Sequence, residues 1–154
     1  MSMSITVDLD EDISVEKAFE ILNESVQWIT KTVEGPRTVG TIEGASISIV
    51  PSRPRGRVLC DELFGISPLL SVSFQPNKFV PYETSHGPAF DSVVALIKAT
   101  HGDVVVAEGD SAFLRRINGQ ITLFNEGGLF DSEVQPQWRP KFDFPHDFKD
   151  RFER

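Results

Sequence analysis

The chain contains only one cysteine, Cys60, among its 154 residues. An intrachain disulfide and a C-x-x-C zinc site are therefore excluded, because each needs at least two cysteines. A solitary cysteine is also more often a small core residue than a nucleophile. This usage favours a reducing compartment, and we expect a cytoplasmic protein.

Long apolar runs are missing as well. The sequence has no stretch of about 18 consecutive apolar residues, which a membrane-spanning helix needs. Residues 1–12 also lack the basic start and the apolar run of a secretory leader. The sequence therefore predicts neither a transmembrane span nor a cleaved signal.

Positive charge is scarce, since 15 Lys and Arg residues stand against 23 Asp and Glu residues for a net charge of −8. Such a surface repels phosphate backbones and anionic lipids, so we expect no nucleic-acid partner and no membrane partner. In residues 1–35, eight acidic residues face only Lys17 and Lys31. This acidic end is suited to a basic protein partner.

The rest of the composition is that of a folded protein, with 40% hydrophobic residues and twelve phenylalanines. A chain of this length buries enough surface for one core, which predicts a single domain over residues 1–154. The segment 128–154 differs from the rest, because prolines interrupt it and large aromatic residues recur in it. Trp138 and Phe142 belong to this aromatic tail, which either packs on the domain or binds a partner.

The apolar spacing predicts strands and two helices. Ser14 can cap a helix over 15–26, and a second helix over 87–100 ends at Gly102, where glycine accepts a left-handed conformation. The turn Asn118-Gly119 is typical of a type I′ hairpin, and the Pro- and Arg-rich residues 51–57 predict an exposed loop. The predicted strands are residues 4–10, two strands within 28–50, and 58–63, 69–74, 104–107, 112–117 and 120–124.

Together these elements predict an α+β fold. We expect a largely antiparallel β-sheet with two helices packed on one face, in the order β-α-β-β-β-β-α-β-β-β.

Motifs that carry chemistry are absent from the sequence. It has no GxSxG elbow, HExxH pair, GxGxxG fingerprint or phosphate-binding P-loop. The run Asp8, Asp10, Asp12 is similar to the start of a calcium loop, but Ile13 stands where that loop requires glycine. We therefore predict no catalytic residue, no cofactor and no metal site, and interpret the run as a solvated acidic turn or as a contact for a basic partner.

One part of the chain resembles a known family. Between Leu70 and Phe124 the sequence reads VSFQPNKF, then DSVVALIKATHGD, VVVAEGD, AFLRRING and QITLF. This succession resembles the C-terminal half of the swarming-inhibition (Sit) type of bacterial immunity proteins, and SITVDLD followed by a helix is similar in order to their N-terminal part. The resemblance implies a non-enzymatic bacterial protein that neutralises a cognate toxin through a binding surface.

The leading hypothesis is therefore an immunity protein that binds a basic toxin domain. Its predicted protein-binding residues are Asp8, Asp10, Glu11, Asp12, Trp138 and Phe142. One alternative is a small-molecule-binding domain or an enzyme with a pocket between sheet and helices, where Asp61, Glu62 and His86 would converge. Another is a structural or oligomerising subunit.

Overall fold

The protein has an α+β fold, as the sequence predicts. The structure is a computed structural model that describes residues 3–130 and 138–154. Within these residues, nine strands form one sheet and three α-helices pack against it. In chain order the elements are β1 (Ile5–Asp10), α1 (Val15–Ser25), β2 (Thr30–Glu34), β3 (Arg37–Ile42), β4 (Ala45–Pro51), α2 (Pro54–Phe64), β5 (Leu70–Pro76), α3 (Tyr82–Ala99), β6 (Asp103–Glu108), β7 (Ser111–Ile117), β8 (Gln120–Phe124) and β9 (Asp147–Lys149).

The sheet is mostly antiparallel, in the order β2-β3-β4-β5-β1-β6-β7-β8-β9, and only β8 and β9 pair in parallel. The first strand of the chain thus lies in the middle of the sheet. The hairpin between β7 and β8 is confirmed, because Asn118 and Gly119 have φ angles of 50° and 81°. Both angles fit the type I′ turn.

Helices α1 and α3 cover one side of the sheet, which we call the first face. The side chains of Ile5, Val7 and Leu9 point to this face and join the main core. Helix α1 begins where the sequence predicts, since the Ser14 hydroxyl accepts a hydrogen bond of 3.0 Å from the backbone N–H of Lys17. It packs through Ala18 and Leu22.

Helix α3 is longer than predicted, because it begins at Tyr82 rather than at residue 87. Its first two turns bury the polar residues Ser85 and His86, so the apolar spacing that marks a helix starts later in the sequence. Pro88 lies inside the helix. No helix formed by the described residues is both long and apolar enough to cross a lipid bilayer.

The predicted loop 51–57 and strand 58–63 are wrong, since residues 54–64 form helix α2. Pro54 occupies the first helical position, where its missing N–H costs nothing, and Gly65 ends the helix with a φ of 76°. The apolar residues of α2 stand only in its second half, and the first half, PRGR, has the proline, glycine and arginines typical of an exposed loop, so no apolar period extends over the whole helix.

The two predicted helices, α1 and α3, share one face, but the structure adds a third helix, α2, which packs on the opposite side of the sheet, the second face. Cys60 contacts Val105 and Ala112 there. Val105 lies between Val104 and Val106, which belong to the first-face core, and successive residues of a strand point to opposite faces.

Residues 28–50 form three strands rather than the two predicted. The additional strand is β2, which lies at the edge of the sheet and is exposed along its whole length. A strand exposed on both faces has no alternation of apolar and polar residues, so the sequence gives no sign of it.

The described part of the aromatic tail lies on the folded domain. Residues 147–149 add β9 to the sheet beside β8. The ring of Phe152 contacts Phe64 of α2 and Phe124 of β8, with centroid distances of 5.4 and 5.0 Å. The tail therefore closes the end of the sheet opposite β2.

Candidate functional site

Asp8 lies inside β1 rather than in an exposed turn. It stands opposite Ser71 of β5 and Val105 of β6, and it projects from the second face. Burial raises the pKa of its carboxyl group, and a hydrogen bond with the Ser71 side chain opposes that shift. The predicted acidic run is therefore divided, because Asp8 belongs to the interior of the sheet.

The acidic turn, residues 10–12, begins at Asp10, the last residue of β1. Asp10 and Asp12 are exposed, and Asp10 stands opposite Asp103 of β6. Glu11 differs, because its Oε1 atom accepts hydrogen bonds of 2.7 Å from the backbone N–H groups of His101 and Gly102. The turn thus presents two exposed carboxylates beside one that holds the junction between α3 and β6.

Gly102 is required at this junction for a reason that differs from the predicted one. Its φ angle is not among the positive values of the chain. A Cβ atom at this position would lie 2.1 Å from the carbonyl oxygen of Asp10, which no side chain can tolerate. The glycine therefore allows β1 and the start of β6 to approach closely.

Arg116 holds the same junction from inside the protein. It is only 5% exposed, and its guanidinium donates to the carbonyl oxygens of Gly102 and Ile97, each at 2.8 Å, and to the Thr100 hydroxyl at 3.0 Å. Burial lowers the pKa of Arg116, and the carboxylates of Glu11 and Asp103 oppose the shift. This role cannot be predicted from the sequence, because nothing in it distinguishes a buried arginine of a strand from an exposed one.

Trp138 and Phe142 lie in the core, with exposures of 3% and 0%. The Trp138 ring packs against Phe90 of α3 at a centroid distance of 4.9 Å, and Phe142 packs against Phe130 at 5.3 Å. In this conformation neither side chain offers surface to a partner, and both complete the first-face core.

The polar convergence of Asp61, Glu62 and His86 does not occur. Asp61 and Glu62 are exposed on α2 at the second face, whereas His86 is buried on α3 at the first face. The sheet separates them. Among the described residues, no three His, Cys, Asp or Glu side chains come together in a way that could hold a metal ion.

His86 instead belongs to a buried polar cluster at the start of α3. Its ring stacks on Tyr82 at a centroid distance of 3.8 Å, and its Nε2 atom lies 3.5 Å from the Glu108 carboxylate. Burial and the charge of Glu108 raise the pKa of Tyr82 to about 12, and the indole of Trp138 opposes the shift. The Glu108 Oε2 atom that faces His86 forms no hydrogen bond with the described residues.

The second face carries a concave surface that the sequence does not predict. We call it the α2 groove: a cavity of about 600 Å³ between α2 and the sheet, lined by Asp8, Arg53, Arg55, Leu59 and Leu63 among others. Leu59 and Leu63 are 55% and 52% exposed although they are apolar. The sequence does not predict this groove, because one of its sides is formed by α2, and residues 51–63 are predicted as a loop and a strand.

Comparison with protein families gives one match. The sequence model of the SitI3-like family matches residues 3–133. The chain belongs to the SitI3-like family. The comparisons with curated proteins and with solved structures gave no match.

Membership of the SitI3-like family confirms the family resemblance that the sequence predicts between Leu70 and Phe124. The family match extends much further, since it includes the acidic turn, α2 and all strands from β1 to β8. Trp138, Phe142 and β9 lie beyond the matched residues. In this member of the family, residues outside the match therefore complete the core.

Proposed function

We propose that this chain is a non-enzymatic immunity protein that binds a toxin directly and thereby blocks the toxin's activity. The observation that carries the proposal is membership of the SitI3-like family over residues 3–133. The family name refers to the Sit type of immunity proteins. On this basis we assign the chain the function of neutralising a toxin by binding it. No catalytic group is part of the proposal.

The environment of the reactive side chains supports a binding function. Burial, together with the nearby carboxylates Asp8 and Asp61, raises the pKa of the Cys60 thiol to about 12, which suppresses the nucleophilic thiolate. The buried His86 lies on the other face of the sheet from Cys60. A nucleophile and a base on opposite faces cannot act on one bond.

The acidic turn is the surface that we propose for a basic region of the toxin. Asp10 and Asp12 would make the charged contacts, and Glu11 would hold their backbone in place through His101 and Gly102. Exposed charges of this kind mainly raise the association rate and make it sensitive to salt. Trp138 and Phe142 are buried and would support the fold without contacting the toxin.

A protein with a net charge of −8 is a suitable partner for a basic toxin, and it is a poor ligand for nucleic acid. The single cysteine fits a reducing compartment, so we propose that binding takes place in the cytoplasm.

A growth assay tests this function. The toxin encoded beside this chain's gene would be induced in a bacterium with and without the chain. We expect growth arrest with the toxin alone and normal growth when the chain is also expressed. Continued arrest, at confirmed expression of the folded chain, would contradict the proposal.

The contact residues are tested by charge reversal. Replacing Asp10 and Asp12 by lysine should weaken toxin binding about tenfold, a loss of about 1.4 kcal/mol. The control is Asp110→Lys, which reverses one exposed charge in the turn at the other end of β6, and its matched counterpart is the single variant Asp12→Lys. If the chain with lysine at positions 10 and 12 bound the toxin as tightly as the control does, the toxin contact would lie elsewhere on the protein.

A further inference from the structure

Helix α2 presents two apolar sides, and only one of them is covered. Cys60 and Phe64, four residues apart, point to the sheet and pack there. Leu59 and Leu63, also four residues apart, line the α2 groove and remain more than half exposed. Apolar side chains that line an exposed concavity with a polar rim mark an interaction site.

The charge of the α2 groove is opposite to that of the molecule. Its charged lining residues are three arginines, Arg37, Arg53 and Arg55, and one acid, Asp8. Three positive side chains therefore stand against a single carboxylate in its lining. In a chain with a net charge of −8, this is a local positive surface.

Two of these arginines are available to a partner. Arg37 is paired with Glu34. Arg53 and Arg55 are exposed at the start of α2, and within the described ranges 3–130 and 138–154 neither of them forms an ion pair. The first turn of α2 contains no acidic residue, so the positive end of the helix dipole adds to their charge.

The groove adjoins the acidic turn. Asp8 and Asp10 project from the same face of β1, and two residues along a strand span about 7 Å. A single partner can therefore cover both surfaces, one of which attracts positive charge and the other negative charge. Two adjacent surfaces of opposite charge fix the orientation in which a partner binds.

We propose that the α2 groove is a second contact surface for the toxin, and that it takes an acidic segment with an apolar side chain of leucine or phenylalanine size. The apolar side chain fills the space beside Leu59 and Leu63, and the flanking carboxylates pair with Arg53 and Arg55. A cavity of about 600 Å³ is large enough for such a side chain and its neighbours. This inference rests on the proposed toxin-binding function, since it names another part of the same interface.

Two variants test the groove without disturbing the fold. Arg55→Glu reverses one charge, and glutamate in the first turn of a helix is favourable for its stability. Leu63→Gln removes the apolar contact at an exposed helical position, where glutamine is a good helix former. The matched control is Arg151→Glu, because Arg151 is an exposed arginine of the tail that does not line the groove.

The affinity of each protein for the toxin encoded beside the gene is measured by biolayer interferometry. We expect Arg55→Glu and Leu63→Gln each to weaken binding at least tenfold, and Arg151→Glu to change it less than twofold. Hydrogen exchange of the α2 amides should also slow in the complex. Affinities equal to that of the wild type for both groove variants would overturn this inference and leave the proposed function standing.

Other outcomes identify other occupants and would also overturn the inference. If the wild-type chain does not bind the toxin at all, both the proposed function and the role of the groove are contradicted. A homodimer in light scattering that Arg55→Glu dissociates would place a second copy of the chain in the groove. A small anionic molecule retained in native mass spectrometry, and lost in Arg55→Glu, would make the groove a ligand pocket.

Discussion

At the scale of single residues, the acidic turn shows that neighbouring carboxylates can have different roles. Glu11 is tied to two backbone N–H groups, whereas Asp10 and Asp12 are exposed. The sequence predicts an acidic surface here, and the exposure of Asp10 and Asp12 fits it. It could not predict the role of Glu11, because its hydrogen-bond donors lie about ninety positions away in the chain.

Replacing Glu11 by alanine should destabilise the protein by about 1–3 kcal/mol, since the N–H groups of His101 and Gly102 lose their acceptor. Asp12→Ala removes the same charge from an exposed position and should change stability by less than about 0.5 kcal/mol. Urea denaturation measures the free energy of unfolding of both variants. Similar losses in the two variants would mean that Glu11 has no special part in the junction.

The stability of the protein should depend on pH through Asp8. Burial raises the pKa of Asp8 in the folded state above its usual value of about 3.8. The folded protein then binds this proton more tightly than the unfolded chain, so ionised Asp8 lowers the free energy of unfolding at neutral pH. Below the unfolded value, both states are protonated and this cost disappears.

We therefore expect Asp8→Asn to raise the free energy of unfolding at pH 7. The gain should shrink as the pH falls through the raised pKa of Asp8 and vanish below the unfolded value. Asp12→Asn serves as a control that changes charge at an exposed site. A gain of the same size at pH 7 and at pH 3 would show that ionisation of Asp8 is not its cause.

At the scale of elements, the sequence predicts those whose signals are local. The Ser14 cap starts α1, and the Asn118-Gly119 turn joins β7 to β8, as the spacing of the sequence indicates. Elements whose signals depend on their surroundings were missed. Helix α2 has apolar residues only in its second half, after the loop-like residues PRGR, and β2 is exposed along its whole length, so neither shows an apolar period over its full length.

The two glycines of the α2 region provide a test of its helical structure. Gly65 ends the helix at a φ of 76°, where alanine is strained, so Gly65→Ala should cost about 1 kcal/mol. Gly56 lies within the helix at an ordinary φ with open space around it, so Gly56→Ala should stabilise the protein by about 0.5 kcal/mol. The midpoint temperature of thermal unfolding should therefore fall in Gly65→Ala and rise in Gly56→Ala. A shift in the same direction for both variants would argue against a helix over residues 54–64.

At the scale of the whole molecule, the tail determines how the first-face core is closed. Trp138 and Phe142 lie beyond the residues that match the SitI3-like family, yet both are buried. The sequence shows a tail rich in aromatic residues and leaves open whether it packs on the domain or on a partner. Only the three-dimensional arrangement decides this, because the contacts of Trp138 with Phe90 and Tyr82 join distant parts of the chain.

Removal of a tail aromatic should therefore destabilise the entire fold. Trp138→Ala should lower the free energy of unfolding by about 3–5 kcal/mol, as expected for a large side chain removed from a core. Phe79 is 86% exposed, so Phe79→Ala should change stability by less than about 0.5 kcal/mol. Trp28 remains in both variants as a fluorescent reporter of unfolding. A Trp138→Ala protein as stable as the wild type would show that the tail is not part of the core.

The proposed function of the chain is to neutralise a toxin by binding it. The most direct measurement is size-exclusion chromatography with light scattering of the purified chain mixed with an inactivated form of the toxin encoded beside its gene. We expect one complex whose mass is the sum of its components, and a weaker complex for the chain in which Asp10 and Asp12 are lysine. Separate elution of the two wild-type proteins at micromolar concentration would contradict it.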